Sequence, residues 1–334
     1  MSSAPTAAAT SRHPTRRTAL AAAWASQIGI TVAFLVLWAV FIILAPGTFL
    51  RQEIYLSFAQ TTPYFAITAM ALTMVIIAGD IDLSFVSIMG LGMVGFVWIW
   101  QASGSVELGI LAALAVGGLA GLFNGLVITL IGIPSLVVTI GTQFLFGGLT
   151  LVLVGGHQYP LVETRKAFAY DFLAGRIGSV PTEFFWLVLA AVGIWILLNR
   201  HRIGQNTYVM GDNRQAAELM GIPIRTTRIL LFVLVGIAAA FAALLQSLQV
   251  SNFYPAVGQG YLLPALAAVF VGGTSVFGGR GSVWGTFIGA FMIGGIHAGI
   301  VAAGLTDYYG DLIYGAIILI SVSIHAVLQR RFER

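Results

Sequence analysis

Ten apolar runs divided by short polar breaks organise the sequence, at about residues 22–45, 54–78, 83–101, 107–131, 134–154, 183–199, 226–250, 261–277, 282–303 and 308–327. Most approach the roughly 20 residues that an α-helix needs to cross the hydrocarbon layer of a bilayer. Inside that layer no water serves the backbone N–H and C=O groups. A helix satisfies them within itself, whereas an open strand does not. The pattern predicts an all-α polytopic membrane protein with about ten transmembrane helices. Residues 1–20 are expected as a disordered tail, 21–328 as one transmembrane domain and 329–334 as a C-terminal tail. Arg16-Arg17 ahead of the first run also fits an export signal. Run 22–45 is too long for a signal's apolar centre, however, and no small-x-small site closes it, so an uncleaved first helix is expected.

Composition strengthens this reading. Of 334 residues, 58% are hydrophobic and 8% charged, against about a quarter charged in a soluble domain. No Lys or Arg occurs between Arg51 and Arg165. Forty glycines suit close helix–helix approach in lipid. Cysteine is absent, which excludes disulfides and thiolate metal sites, and the five histidines lack metal-ligand spacing, so no metal is expected. Phe34, Trp38, Trp98 and Trp100 are read as core or interfacial aromatics.

The net charge of +4 sits in the flanks and breaks, which speaks of topology and not of nucleic acid. With the N-terminus inside, the inner segments collect Arg12, Arg16, Arg17, Arg200, Arg202, Arg214, Arg225, Arg228, Arg280, Arg330, Arg331 and Arg334. The outer ones receive only Arg51, Arg165, Lys166 and Arg176. Basic residues favour the cytoplasmic side, so both termini are expected there.

Three breaks hold the candidate chemistry. The longest charged one, 200–228, carries five of the fifteen arginines. Its centre predicts a short helix, capped by Asp212 or Asn213 and ended by Gly221 and Pro223. A capped, charged surface helix in so apolar a chain points to a soluble partner. The expected contacts are Asp212, Asn213, Arg214, Ala216, Ala217, Glu218 and Gly221. The second break, Gly79-Asp80-Ile81-Asp82-Leu83-Ser84, places two acids between apolar runs, where charge is costly. A helix cap and a direct part in gating or substrate passage both fit. The third, Gly272-Gly273 through Gly278-Gly279-Arg280-Gly281, reads as a packed turn with Arg280 at the cytoplasmic edge. It lacks the βα context of a phosphate cradle.

Inside the runs, His297 is read as an interhelical hydrogen bonder or as polar lining of a solute path. Asn124, Gln143 and Gln246 read as polar packing. Asp80, Asp82, Ser84, Asn124 and His297 are the translocation or gating candidates. Segment 155–182 is amphiphilic enough to lie on the membrane surface or receive an outside partner. A Walker A loop needs a lysine after its glycines, and the single lysine, Lys166, follows none. No nucleophile elbow is present either, so a catalytic role has no residues behind it.

Three blocks carry a resemblance. Leu72 through Ser84 resembles the "G-x-IDLSVGS" signature of ribose-type ABC importer permeases. Val271 through Thr286 is similar to that family's "GGTS-x-FGGRGS-x-x-GT" block, and Gly211 through Ile222 to its "G-x-N-x-x-AA-x-x-x-GI" coupling segment. The likeness runs in order from about Pro46 to Ile324. Asp80 stands where the pattern has a second glycine, and Ser84-Phe85-Val86-Ser87 replaces "SVGS". The resemblance implies a type II importer permease in a bacterial inner membrane, paired with a second copy or a paralogue. It also implies a cytoplasmic ATP-binding subunit carrying the ATP and Mg, a periplasmic solute-binding protein, and a monosaccharide or polyol as cargo. This chain itself would bind no cofactor. The alternative is an ion-coupled secondary transporter, with Asp80 and Asp82 taking Na⁺ or H⁺ at a broken helix.

Overall fold

The computed structural model describes residues 16–302, 304 and 308–332, with side chains from 27 to 302, at 304 and from 309 to 323. Residues 1–15 and 333–334, which make up most of the expected N-terminal tail and the end of the C-terminal one, lie outside the described residues. The helices are α1 (Arg16–Leu44), α2 (Pro46–Phe49), α3 (Gln52–Thr61), α4 (Pro63–Ile77), α5 (Phe85–Ser103), α6 (Val106–Leu126), α7 (Ser135–Val154), α8 (Phe168–Ala174) and α9 (Thr182–Arg200). They continue as α10 (Arg202–Asp212), α11 (Arg214–Leu219), α12 (Ile224–Gln249), α13 (Leu262–Val271), α14 (Val283–Ala302) and α15 (Tyr308–Phe332). A π-helical turn, Val127–Ile131, extends α6.

Each of the ten apolar runs contains helix, but fewer than ten span as straight rods. Among the described residues seven helices are long and apolar enough to cross a membrane, and the bent pair α3–α4 makes an eighth. The expected span 54–78 is broken at Thr62, where the chain turns by 52°. Pro63 causes this: it has no N–H for the preceding turn, and its ring displaces the carbonyl it would meet. The expected span 261–277 holds only the ten-residue α13, about 15 Å of helix. Gly272-Gly273 ends it, with Gly273 at φ 82°.

α4 lies at the centre, with every residue from Pro63 to Ile77 buried. A helix apolar all round belongs in such a place, since no face of it is fitted for water. α12 and α6 meet backbone to backbone. A Cβ on Gly236 would stand 2.1 Å from the Gly117 carbonyl oxygen. Small residues permit this approach, which maximises dispersion contact where lipid offers no hydrophobic drive. Outward faces carry Leu111, Phe144 and Val152, all exposed, as a lipid-facing surface requires.

Beyond α7, the segment before α9 folds into a 3₁₀ turn, α8 and two short antiparallel pairings. Tyr159–Pro160 (β1) pairs with Asn252–Phe253 (β4), and Arg176–Ile177 (β2) with Val180–Pro181 (β3). Exposed Phe168 and Phe172 stand on α8, and Phe172 packs edge-on to Trp186 at 5.0 Å. This is the aromatic composition of a membrane–water boundary.

Candidate functional site

All three sequence blocks meet at one end of the bundle, where α4 and α9 finish and α12 and α14 begin. α4 stops at Ala78, and Gly79 takes φ 81°, a left-handed turn open to glycine at little cost. Residues 78–84 then run irregularly to α5, and the Asp80 carboxylate, the Ile81 backbone and the Ser84 hydroxyl are each held by a different element.

Asp80 is 4% exposed, and its carboxylate is gripped from the far side of the sequence. Arg228, in the second turn of α12, donates Nε to Oδ2 and Nη2 to Oδ1, both at 2.7 Å. Arg214, on α11, reaches Oδ2 through Nη2 at 3.5 Å, and the same Nη2 lies 3.5 Å from the Ala78 carbonyl oxygen. The Arg228 contact is a bidentate, charge-assisted pair, the strongest geometry available to a carboxylate. Ile81 is fixed next: its N–H donates to Ser135 Oγ at 3.1 Å, and its carbonyl accepts from Thr139 Oγ1 at 3.2 Å. Asp82 works locally. Its Oδ1 accepts from the N–H of Ser84 at 2.8 Å and from Ser84 Oγ at 2.6 Å, while Asn124 Nδ2 donates to Ser84 Oγ at 2.7 Å. Asp82, Ser84 and Asn124 are all buried, and among the described residues Asp82 Oδ2 and Asn124 Oδ1 accept no hydrogen bond. The two acids therefore divide: Asp82 closes a local turn on Ser84 just before α5, whose first N–H groups take no side-chain cap, and Asp80 joins distant helices.

The glycine-rich turn closes on the same point. The Gly279 N–H donates to the Ile77 carbonyl at 2.8 Å, and Gly211 lies directly against that bond. A Cβ on Gly211 would fall 1.7 Å from Ile77 O and 2.6 Å from Gly279 N. Tyr208, on α10, donates its hydroxyl to the Gly281 carbonyl at 2.8 Å, and burial pushes that hydroxyl up to about 12. Within the turn the Ser275 N–H donates to the Arg280 carbonyl at 2.9 Å, and the Arg280 side chain is exposed. Gly272 packs on the backbone of Gly285, Gly273 sits at positive φ, and Gly278 faces the Gly211 carbonyl. The turn is thus a packed joint.

The charged break holds two helices where one is expected. α10 begins at Arg202, with His201 Nδ1 accepting from the Ile203 N–H, and Asp212 is its last residue. Asn213, not Asp212, caps α11: its Oδ1 accepts from the Ala216 N–H at 2.9 Å. Gly221, at φ 75°, turns the chain toward α12. Ala217 is fully buried and Ala216 partly so, which makes them packing residues. The open surface is formed by Asp212, Asn213, Arg214 and Glu218, joined by Leu219 and Met220, which sequence reading did not single out. Losing the Asn213 cap in Asn213→Ala is expected to cost α11 about 1 kcal/mol. Amide exchange at Ala216 and Ala217 should rise about fivefold.

His297 stays outside this joint, and among the described residues it makes no interhelical hydrogen bond. α14 presses Gly295 and Gly299 against Trp38 and Phe41 of α1. At 100° per residue this turns His297 to the opposite, exposed face. Of the other intramembrane amides, Gln246 donates Nε2 to the Tyr254 hydroxyl at 3.1 Å. Sequence reading counted Arg228 only as a topology charge. A usable signal existed: Asp80 stands in a stretch of chain without a single Lys or Arg, so its counter-charge had to come from a distant segment.

Comparison with known proteins covers this whole arrangement. Residues 54–322 match the family described as branched-chain amino acid transport system / permease component. The chain is 30% identical to the ribose import permease protein RbsC of Escherichia coli (strain K12) over 303 residues, covering 90% of this chain and 94% of that protein. It is 30% identical over 267 residues to the autoinducer 2 import system permease protein LsrD of Salmonella typhimurium (strain LT2), covering 78% and 80%. To the LsrD of Yersinia enterocolitica it is 32% identical over 267 residues, covering 78% and 81%. The match runs from α3 into α15 and takes in the α4–α5 break, α10–α11 and the glycine turn, and the chain belongs to this family of membrane permease components.

Proposed function

We propose that this permease is the translocation subunit of an ATP-driven importer, and that α11 is where a separate ATP-binding subunit docks. The observation that carries this reading is the exposure of Leu219 (90%) and Met220 (70%) at the end of the six-residue α11, beside Glu218 and Arg214. Large apolar side chains so presented on a charged surface are the anchors of a protein interface. The same helix is tied through Arg214 to the α4–α5 break, and the preceding α10 is pressed through Gly211 on the end of α4, so force applied to it reaches the membrane helices. With no Walker lysine in this chain, ATP and Mg belong to the partner.

The named relatives import ribose and autoinducer 2, which supports a monosaccharide or related polyol as cargo. In this reading the arginine-rich end is cytoplasmic, as are both termini, in a bacterial inner membrane. A periplasmic binding protein delivers cargo to the opposite end, where segment 155–182 lies, and a second permease copy or a paralogue completes the path. The ion-coupled alternative loses one of its two acids, because both oxygens of Asp80 already accept from Arg228.

Leu219→Asp should weaken retention of the ATP-binding subunit by roughly 30-fold, about 2 kcal/mol, as for loss of a buried interface anchor. Glu218→Lys should act in the same direction, with membrane levels unchanged. Pull-down of the partner and uptake into proteoliposomes check both. Uptake that persists after the partner's ATPase is disabled would overturn the proposal.

A further inference from the structure

Asp80 has two arginine partners of unequal grip. Arg228, with 11% of its side chain exposed, makes two bonds at 2.7 Å from the N-terminal part of α12. Arg214, with 43% exposed, makes one contact at 3.5 Å from α11. The first is desolvated and fixes both orientation and distance; the second is long, solvent-facing and readily exchanged. Between them stands a carboxylate whose own backbone lies in the irregular stretch 78–84. That stretch holds α7 through Ile81 and α6 through Ser84 and Asn124. A displacement of α11 therefore changes the charge facing Asp80 together with the packing of the buried Ala217.

We propose that Asp80 is a positioning residue that carries motion of α11 into the α4–α5 break, locked to α12 by Arg228 and engaged adjustably by Arg214. When α11 moves inward, Arg214 shortens to a full bond and Asp80 is held by both helices. When α11 moves outward, the carboxylate stays with Arg228 alone, and the break is freed from α11. The inference rests on the docking reading above for what moves α11, but the link from Arg214 to the break is a property of this chain alone.

Two measurements separate these dependencies. In the first, amide exchange is followed at Asp80, Ile81 and Ser84 of the chain by itself in lipid nanodiscs. Arg214→Glu sets a carboxylate against Asp80 and should speed exchange there roughly tenfold, while Arg214→Gln should do so about threefold. Arg225→Glu makes the same charge change in the same segment. Arg225 is exposed and makes no ion pair among the described residues, so its variant should leave those amides unchanged. Unchanged exchange in Arg214→Glu, or an equal rise in Arg225→Glu, overturns the proposal.

In the second measurement, the complex with its ATP-binding subunit is reconstituted in proteoliposomes. Solute imported per ATP hydrolysed should fall about fivefold in Arg214→Gln and be restored by Arg214→Lys. A ratio unchanged in Arg214→Gln, or a drop that Arg214→Lys fails to restore, counts against Asp80 as the transmitting group. If the unaltered complex imports nothing with ATP, the docking reading fails, and the exchange measurement still decides the role of Asp80.

Discussion

Gly211→Ala is expected to unfold the joint between α10, α4 and the glycine turn, at a cost of about 3 kcal/mol or more. The added Cβ would lie 1.7 Å from the Ile77 carbonyl oxygen and 2.6 Å from the Gly279 nitrogen, the two ends of one backbone hydrogen bond. Neither neighbour is a side-chain tip that could swing aside; relief requires α10 to move off α4. That movement would also stretch the Tyr208–Gly281 bond and pull Arg214 from Asp80. Thermal unfolding of the detergent-solubilised protein measures the loss, with Gly141→Ala as comparison. Gly141 lies in the interior of α7 with no heavy atom within 4 Å of a built Cβ, so alanine there should be neutral or stabilising by up to about 1 kcal/mol. A Gly211→Ala protein as stable as the parent would show that this close approach is not maintained.

Asp80→Asn is expected to cost about 3–5 kcal/mol, because it leaves the Arg228 guanidinium buried without a counter-charge. Two charge-assisted bonds at 2.7 Å would become at best one neutral bond and one misfit, since the amide nitrogen would face a donor. Removing both charges should be far milder. Asp80→Asn combined with Arg228→Met restores a neutral site of similar volume, and most of the loss should return. Chemical unfolding of the four proteins of this cycle gives the coupling energy directly. Additive losses would mean that the pair contributes nothing beyond its separate residues. Raised salt should change the single-variant loss little, because a pair this deeply buried is poorly screened.

Much of the architecture was legible along the chain. Ten apolar runs marked ten places where helix forms, and the breaks at 78–84, 200–228 and 272–282 fell where the structure has them. The misreadings share a cause. Pro63 inside run 54–78 and Gly272-Gly273 inside run 261–277 are local breakers that mean hydropathy passes over, so a bent pair and a half-length helix looked like full spans. In the charged break, cap residues mark α11 alone, whereas α10, from Arg202 to Asp212, starts on His201, with no Ser, Thr, Asp or Asn at its cap position. Where His297 and Ala217 point depends on which way a helix faces, and that is settled by its neighbours: Trp38 and Phe41 turn His297 outward, and packing draws Ala217 in.

What the sequence determined by itself was the class of molecule: helices, a bilayer as solvent, and charged breaks at one end. Hydropathy, propensity and capping act over a few turns, so they survive translation into a string of residues. What only the tertiary structure decided was the joint. Asp80 and Arg228 are 148 positions apart, and Ile77 meets Gly279 and Gly211 from opposite parts of the chain. Such contacts exist because α12 and the glycine turn pack against the end of α4, and packing depends on every helix at once. The glycines were visible in the sequence; the backbones they admit to one another appear only when the chain is folded.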